Sequence, residues 1–130
     1  MNPIQLPAFL TIAITLLLFA LAANVGRQRL RYKIDGPATT GHPMLERAFR
    51  VQMNTIENTV MVLPLLWIAA IFFNPFFATL AGLIWLGARI WYAIAYMKEP
   101  KRRGKAFVLS MLAVLALMIM GLWGLLYRVF

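Results

Sequence analysis

The 130-residue chain is expected to fold as an all-α integral membrane protein, a bundle of four transmembrane helices built as one domain over residues 1–130. Composition is the first reason: 62% of the residues are hydrophobic, 13% are charged and the mean hydropathy is +0.77, against about 45–50% apolar content in soluble domains. The second is a set of uncharged stretches long enough to cross a bilayer, which excludes disorder and a small secreted sandwich. The third is the gathering of basic residues in two of the three connections between those stretches. Cysteine is absent, so disulfides and a cysteine nucleophile are excluded, and any sulfur chemistry must use a thiol from another molecule. The net charge of +9 is not accompanied by a recognisable nucleic-acid module, and no nucleic-acid partner is expected.

The first span covers about residues 4–26. No charge occurs from Met1 to Gly26, and Ile4 to Ala23 supplies the roughly 20 apolar residues that a transmembrane helix needs. Its basic residues, Arg27, Arg29, Arg31 and Lys33, follow the apolar run, whereas a cleaved signal peptide carries them before it, so a retained anchor is expected. Gly36-Pro37 and Gly41 break the chain, and Pro43 suits the first turn of a second helix over about 44–73. The uncharged stretch Asn58 to Ala88 is too long for one ordinary span and is divided by Asn74-Pro75 into spans of about 44–73 and 75–97. After Lys101, Arg102, Arg103 and Lys105, the uncharged stretch Ala106 to Tyr127 completes a fourth span of about 104–127.

Six basic residues fall between spans one and two, none at Asn74-Pro75, and five from Lys98 to Lys105. The positive-inside rule then places both basic connections in the cytoplasm and both termini on the other side. The membrane would be the inner membrane of a bacterium or an endoplasmic-reticulum-type membrane of a eukaryote.

Chemistry concentrates on the second and third helices. Arg47, Arg50, Asn54 and Glu57 are spaced three, four and three apart, which at about 100° per residue sets them in one stripe that enters the membrane. Ionised groups at that depth face protein or a water-filled cavity, so Glu57 is a site candidate. The competing reading is an Arg50–Glu57 pair that only fixes packing. Gln52, about 200° around the helix from Asn54, points to a different neighbour, either solvent at the interface or another subunit. Arg89, Tyr92 and Tyr96 share a face of the third helix, as part of a site or as an aromatic belt at headgroup level. His42 stands alone in a Gly-Pro turn and reads as a loop residue; no metal site is expected. Ser110 has no histidine base nearby, which argues against acyl transfer.

From Glu46 to Glu57 the sequence ERAFRVQMNTIE resembles the MAPEG superfamily, the membrane-associated proteins of eicosanoid and glutathione metabolism, whose second helix carries the pattern E-R-x-x-R-x-[QH]-x-N-x-x-E. The preceding Thr39-Thr40-Gly41-His42-Pro43, the basic end of span one and the Arg89 to Arg103 region fall at the family's spacing. The resemblance implies a homotrimer with glutathione as co-substrate, bound between subunits near the cytosolic boundary. By position, Arg50, Asn54, Glu57, Tyr92 and Tyr96 would line the tripeptide from one subunit, Arg29 and Gln52 would come from the next, and Arg103 would be the catalytic arginine beside the sulfur. Arginines match the tripeptide's two carboxylates and Glu57 its ammonium. A thiol of pKa near 8.5 is ionised only to a few per cent at neutral pH, and lowering it by two units takes roughly 2.7 kcal/mol of thiolate stabilisation, within reach of one guanidinium in a partly desolvated site.

Two departures bear on specificity. Asn58 follows Glu57 where leukotriene-forming members have a tyrosine, and Leu30 follows Arg29 where they have a second arginine. A generalist microsomal-type glutathione transferase acting on hydrophobic electrophiles from the bilayer, with peroxidase activity on lipid hydroperoxides, is the expected function. Its rival is a non-catalytic lipid-binding scaffold of the same fold. A small multidrug transporter needs an acid in span one, and span one has none.

Overall fold

A computed structural model describes residues 2–130 and contains four long helices: α1 (Gln5–Tyr32), α2 (Pro43–Phe72), α3 (Pro75–Lys98) and α4 (Gly104–Val129), the last preceded by a 3₁₀ turn over Pro100–Arg103. All four are long and apolar enough to cross a membrane, and the chain is an all-α integral membrane protein. At 1.5 Å per residue, the 30 residues of α2 reach about 45 Å, against a hydrocarbon core of about 30 Å, so a third of that helix overhangs the core. The same physics carries α1 beyond Gly26 to Tyr32. A helix that leaves the hydrocarbon can continue with arginines on its surface, and Arg29 and Arg31 in the last turn favour the negative end of the helix dipole.

Local chemistry sets the turns. Asn74 caps α3, its side-chain oxygen accepting from the N–H groups of Phe76 and Phe77 at 2.9 and 3.1 Å, with Pro75 at the first helical position. His42 is the N-cap of α2 and not a free loop residue: its Nδ1 accepts from the Met44 N–H at 3.1 Å, and its ring stacks on Tyr32 with centroids 3.5 Å apart. The base of α1 is thereby pinned to the start of α2. Gly41 reaches this cap with φ +126°, a backbone conformation L side chains rarely adopt.

The two central helices, α2 and α3, pack on each other; α1 lies against both from one side and α4 against both from the other. Leu10, Ile14, Leu66, Ala78, Trp85 and Leu117 form the heart of the core. Large apolar side chains such as Phe19, Val60, Leu83 and Leu122 are exposed on the outside, as a lipid-facing surface requires. Apart from Arg89 within α3 and Arg128 near the end of α4, every basic residue lies toward the end of the bundle where α1 and α3 finish and α2 and α4 begin.

At the opposite end α4 approaches α2 almost backbone to backbone. A Cβ added at Gly124 would run into the Phe72 carbonyl and stand 2.8 Å from the Phe73 nitrogen, and one at Gly121 would stand 2.9 Å from Ile68 Cγ2. Small residues permit such approach where lipid supplies no hydrophobic drive for helix association. Gly124→Ala is therefore expected to destabilise the protein by about 1–3 kcal/mol despite alanine's better helix propensity. Gly87→Ala, which meets nothing within 4 Å, should be neutral or slightly stabilising. Unfolding of both variants in detergent micelles checks this, and equal stability of the two would contradict the close approach.

Candidate functional site

A cavity of about 210 Å³ opens at the basic end of the bundle, lined by Arg50, Met53, Asn54 and Glu57 of α2, Tyr92 and Tyr96 of α3, and Arg103 of the 3₁₀ turn. The α2 residues fall at i, i+3, i+4 and i+7, and the tyrosines at i and i+4, so each helix contributes one stripe. Tyr92 and Tyr96 lie with ring centroids 5.6 Å apart. The Arg103 guanidinium sits 5.4 Å from the Tyr96 centroid and donates to the Pro100 carbonyl at 2.7 Å. Two cations, one carboxylate, an amide and two phenols thus surround one small volume.

A second, more open space of about 460 Å³ adjoins it, sharing Asn54, Tyr92 and Arg103 and running on to Gly104, Phe107 and Val108 of α4. Farther along α4, Val108, Leu109 and Leu112 line a largely apolar groove. Arg103 and Tyr92 therefore stand where a polar pocket meets a path that leads along the apolar face of α4.

Arg102 is placed elsewhere, with Trp91, Ile94, Ala95 and Lys98. The segment Pro100–Arg103 is a 3₁₀ turn that precedes α4. Successive residues there project about 120° apart, which separates Arg102 from Arg103.

Arg47 leaves the expected stripe. Its guanidinium donates to the carbonyls of Met97 and Lys98 at 3.1 and 3.3 Å, occupying free acceptors at the end of α3. Among the described residues no ion pair joins Arg50 to Glu57. The two lie seven residues apart on the same helix, about 10.5 Å along its axis, so a packing pair between them does not form. Arg29 and Gln52 are not brought to the cavity. Arg29 donates to the Ala38 carbonyl at 2.6 Å beside the loop after α1, and Gln52 is half-buried on another face of α2.

Tyr92 is only 3% exposed and packs under Arg89, whose guanidinium is 4.0 Å from its ring centroid; it is no headgroup-level belt residue. Arg89 is itself fully buried. It donates to Asn54 Oδ1 at 2.7 Å, Thr55 Oγ1 at 2.8 Å and Ser110 Oγ at 3.3 Å. Sequence reasoning assigned no task to Thr55 or Ser110. Their signal was a hydroxyl within an apolar span at the depth of the one arginine on α3, which a desolvated guanidinium requires. Asn58 turns into the bundle as well, donating to the Asn54 carbonyl at 3.3 Å and accepting from Trp85 Nε1 at 3.5 Å. Among the described residues no group of His, Asp or Glu side chains converges to hold a metal ion.

The model of the MAPEG family matches residues 7–123. The chain is 39% identical over 122 residues to an uncharacterised protein of Synechocystis, covering 94% of this chain and 89% of that one. It is 39% identical over 103 residues to human microsomal glutathione S-transferase 2, with 79% and 70% of the two chains covered. Bovine leukotriene C4 synthase is 33% identical over 125 residues, covering 96% of this chain and 83% of the relative. With the match running through all four helices and the cavity between them, the chain belongs to the MAPEG family.

Proposed function

We propose that this protein is a membrane glutathione transferase that joins the thiolate of glutathione to hydrophobic electrophiles, and that the same thiolate reduces lipid hydroperoxides. The observation that carries the reading is the position of Arg103 at the junction of a polar cavity and an apolar groove. Transfer from a polar tripeptide to an apolar acceptor needs one point where both are held together. The names of the relatives, a microsomal glutathione S-transferase and a leukotriene C4 synthase, support the same chemistry.

In this reading Arg50 pairs with a carboxylate of glutathione, Glu57 takes its ammonium, and Asn54, Tyr92 and Tyr96 meet its peptide and sulfur end. Arg103 stabilises the thiolate, which attacks the electrophilic carbon. A carbon–sulfur bond forms, and the leaving group departs with the electron pair or an opened epoxide oxygen takes up a proton. With a hydroperoxide, thiolate attack on the terminal oxygen releases the alcohol and a glutathione sulfenic acid, which a second glutathione converts to disulfide and water. A homotrimer completes the site by bringing Arg29 and Gln52 from a neighbouring subunit, consistent with their lying away from the cavity of their own chain. The basic end of the bundle faces the cytoplasm by the positive-inside rule.

The deciding experiment is a glutathione-dependent assay of purified protein over a small panel of electrophiles and one lipid hydroperoxide. No activity together with no glutathione binding would favour the lipid-binding scaffold, and turnover that does not need glutathione would overturn the transferase reading. Because no ion pair to Glu57 occurs among the described residues, Glu57→Gln is expected to weaken glutathione binding at least tenfold in calorimetry while leaving thermal stability nearly unchanged. Retained affinity with a large loss of stability would assign Glu57 to packing instead.

Arg103→Ala should lower turnover about tenfold or more and weaken the ultraviolet thiolate signal of bound glutathione, with a smaller effect on its binding. Arg102→Ala should do neither. For orientation, the absence of native cysteine makes Asn74→Cys a clean reporter. It should react with an impermeant maleimide from the non-cytoplasmic side, and labelling from the cytoplasmic side would invert the topology.

A further inference from the structure

Among the described residues Arg89 is the one arginine that is fully buried, and no acid there pairs with it. All three of its hydrogen-bond partners are neutral oxygens, from Asn54 and Thr55 on α2 and Ser110 on α4, and its Nε has no partner at all. Holding three helices together accounts for the bonds to Thr55 and Ser110, but Asn54 is the one partner that also lines the cavity.

What a guanidinium does that no apolar residue can is orient an amide. It carries donors only, so the atom 2.7 Å from Arg89 must be the oxygen of the Asn54 carboxamide and not its nitrogen. The two N–H donors of Asn54 then point away from Arg89. Among the described residues only Gln28 Oε1 and Arg89 Nε are sealed side-chain polar atoms without a partner, so Asn54 Nδ2 is not sealed, and Asn54 lines the cavity. The Arg89 guanidinium itself stacks on Tyr92, whose hydroxyl is likewise not among the sealed atoms.

We propose that Arg89 is a positioning residue that locks the Asn54 carboxamide with its NH₂ turned into the cavity, making the cavity floor a donor for an acceptor oxygen of the tripeptide. Thr55 and Ser110 hold the plane of the guanidinium, and Tyr92 supports its face. This rests on the glutathione reading of the cavity. Without Arg89 the amide rotates freely and presents oxygen as readily as nitrogen to the ligand.

The test uses the full-length protein in micelles, with glutathione binding by calorimetry and thermal unfolding measured side by side. Asn54→Asp keeps an acceptor for Arg89 and adds a counter-charge, but replaces the cavity-facing NH₂ by an oxygen. It should raise the unfolding temperature and weaken glutathione binding at least tenfold, a combination a purely structural contact does not produce. In a double-mutant cycle, Arg89→Met should itself weaken binding about tenfold, and Asn54→Ala should add much less in that background than in the wild type. Additive losses, or an Asn54→Asp protein that binds as tightly as wild type, overturn the positioning role. If Arg89→Met does not fold, the opposite signs expected for Asn54→Asp decide alone. Wild-type protein that fails to bind glutathione overturns the ligand assignment and this use of the amide with it, an outcome distinct from tight binding by both wild type and Asn54→Asp.

Discussion

A guanidinium buried among hydroxyls and an amide is the constraint around which the basic half of this bundle is organised. On insertion scales an arginine at the centre of a membrane helix costs about 2.5–3.5 kcal/mol, and the cost falls only when other helices supply oxygen atoms. Arg89 on α3 obtains them from Asn54 and Thr55 on α2 and from Ser110 on α4. Two of these bonds join α3 to α2 and one joins it to α4, so the polar network fixes the relative depth of three helices. Apolar contacts alone, which tolerate sliding, do not do this.

The same constraint divides labour among the helices. The windows of highest mean hydropathy lie on α1 and α4, at 2.4 each, whereas α2 and α3 reach only 1.7 and 1.4. The less apolar pair lies at the centre, touching every other helix, and there its polar residues are shielded from lipid by α1 and α4. At the far end Gly121 and Gly124 admit the α2 backbone, and Trp67 donates to Thr11 and Arg128 to the Ile71 carbonyl. The basic half is thus held by a buried arginine network, and the other end chiefly by close packing of small residues.

Helix ends contribute as well. Arg47 closes the last carbonyls of α3, and His42 caps α2 while stacking on Tyr32. Neither side chain enters the cavity, yet both hold the ends of the helices whose next turns line it. Arg103 lies on a 3₁₀ turn instead of a regular helix, and the tighter winding turns it toward Tyr96 while Arg102 faces the outer side of α3.

Much of this was legible in the residues themselves. The four helices follow from uncharged runs of bilayer length, and the turn at Asn74-Pro75 from the chemistry of a cap followed by a helix-starting proline, because both are local properties that need no knowledge of neighbours. The stripe of Arg50, Asn54 and Glu57 also follows from spacing alone, since 3.6 residues per turn fixes which side chains share a face. Spacing could not tell which member of a stripe meets a cavity and which meets a helix end, and so Arg47 was grouped with residues it does not join. Nor could it distinguish Tyr92 at a lipid surface from Tyr92 beneath a buried arginine, or identify Thr55 and Ser110 as partners of Arg89, more than twenty residues away from one another in sequence order across α2 and α4. Those assignments depend on how three helices rotate and shift against one another. That arrangement is decided by the need to satisfy one desolvated cation, a requirement met only through long-range contacts that the tertiary structure creates.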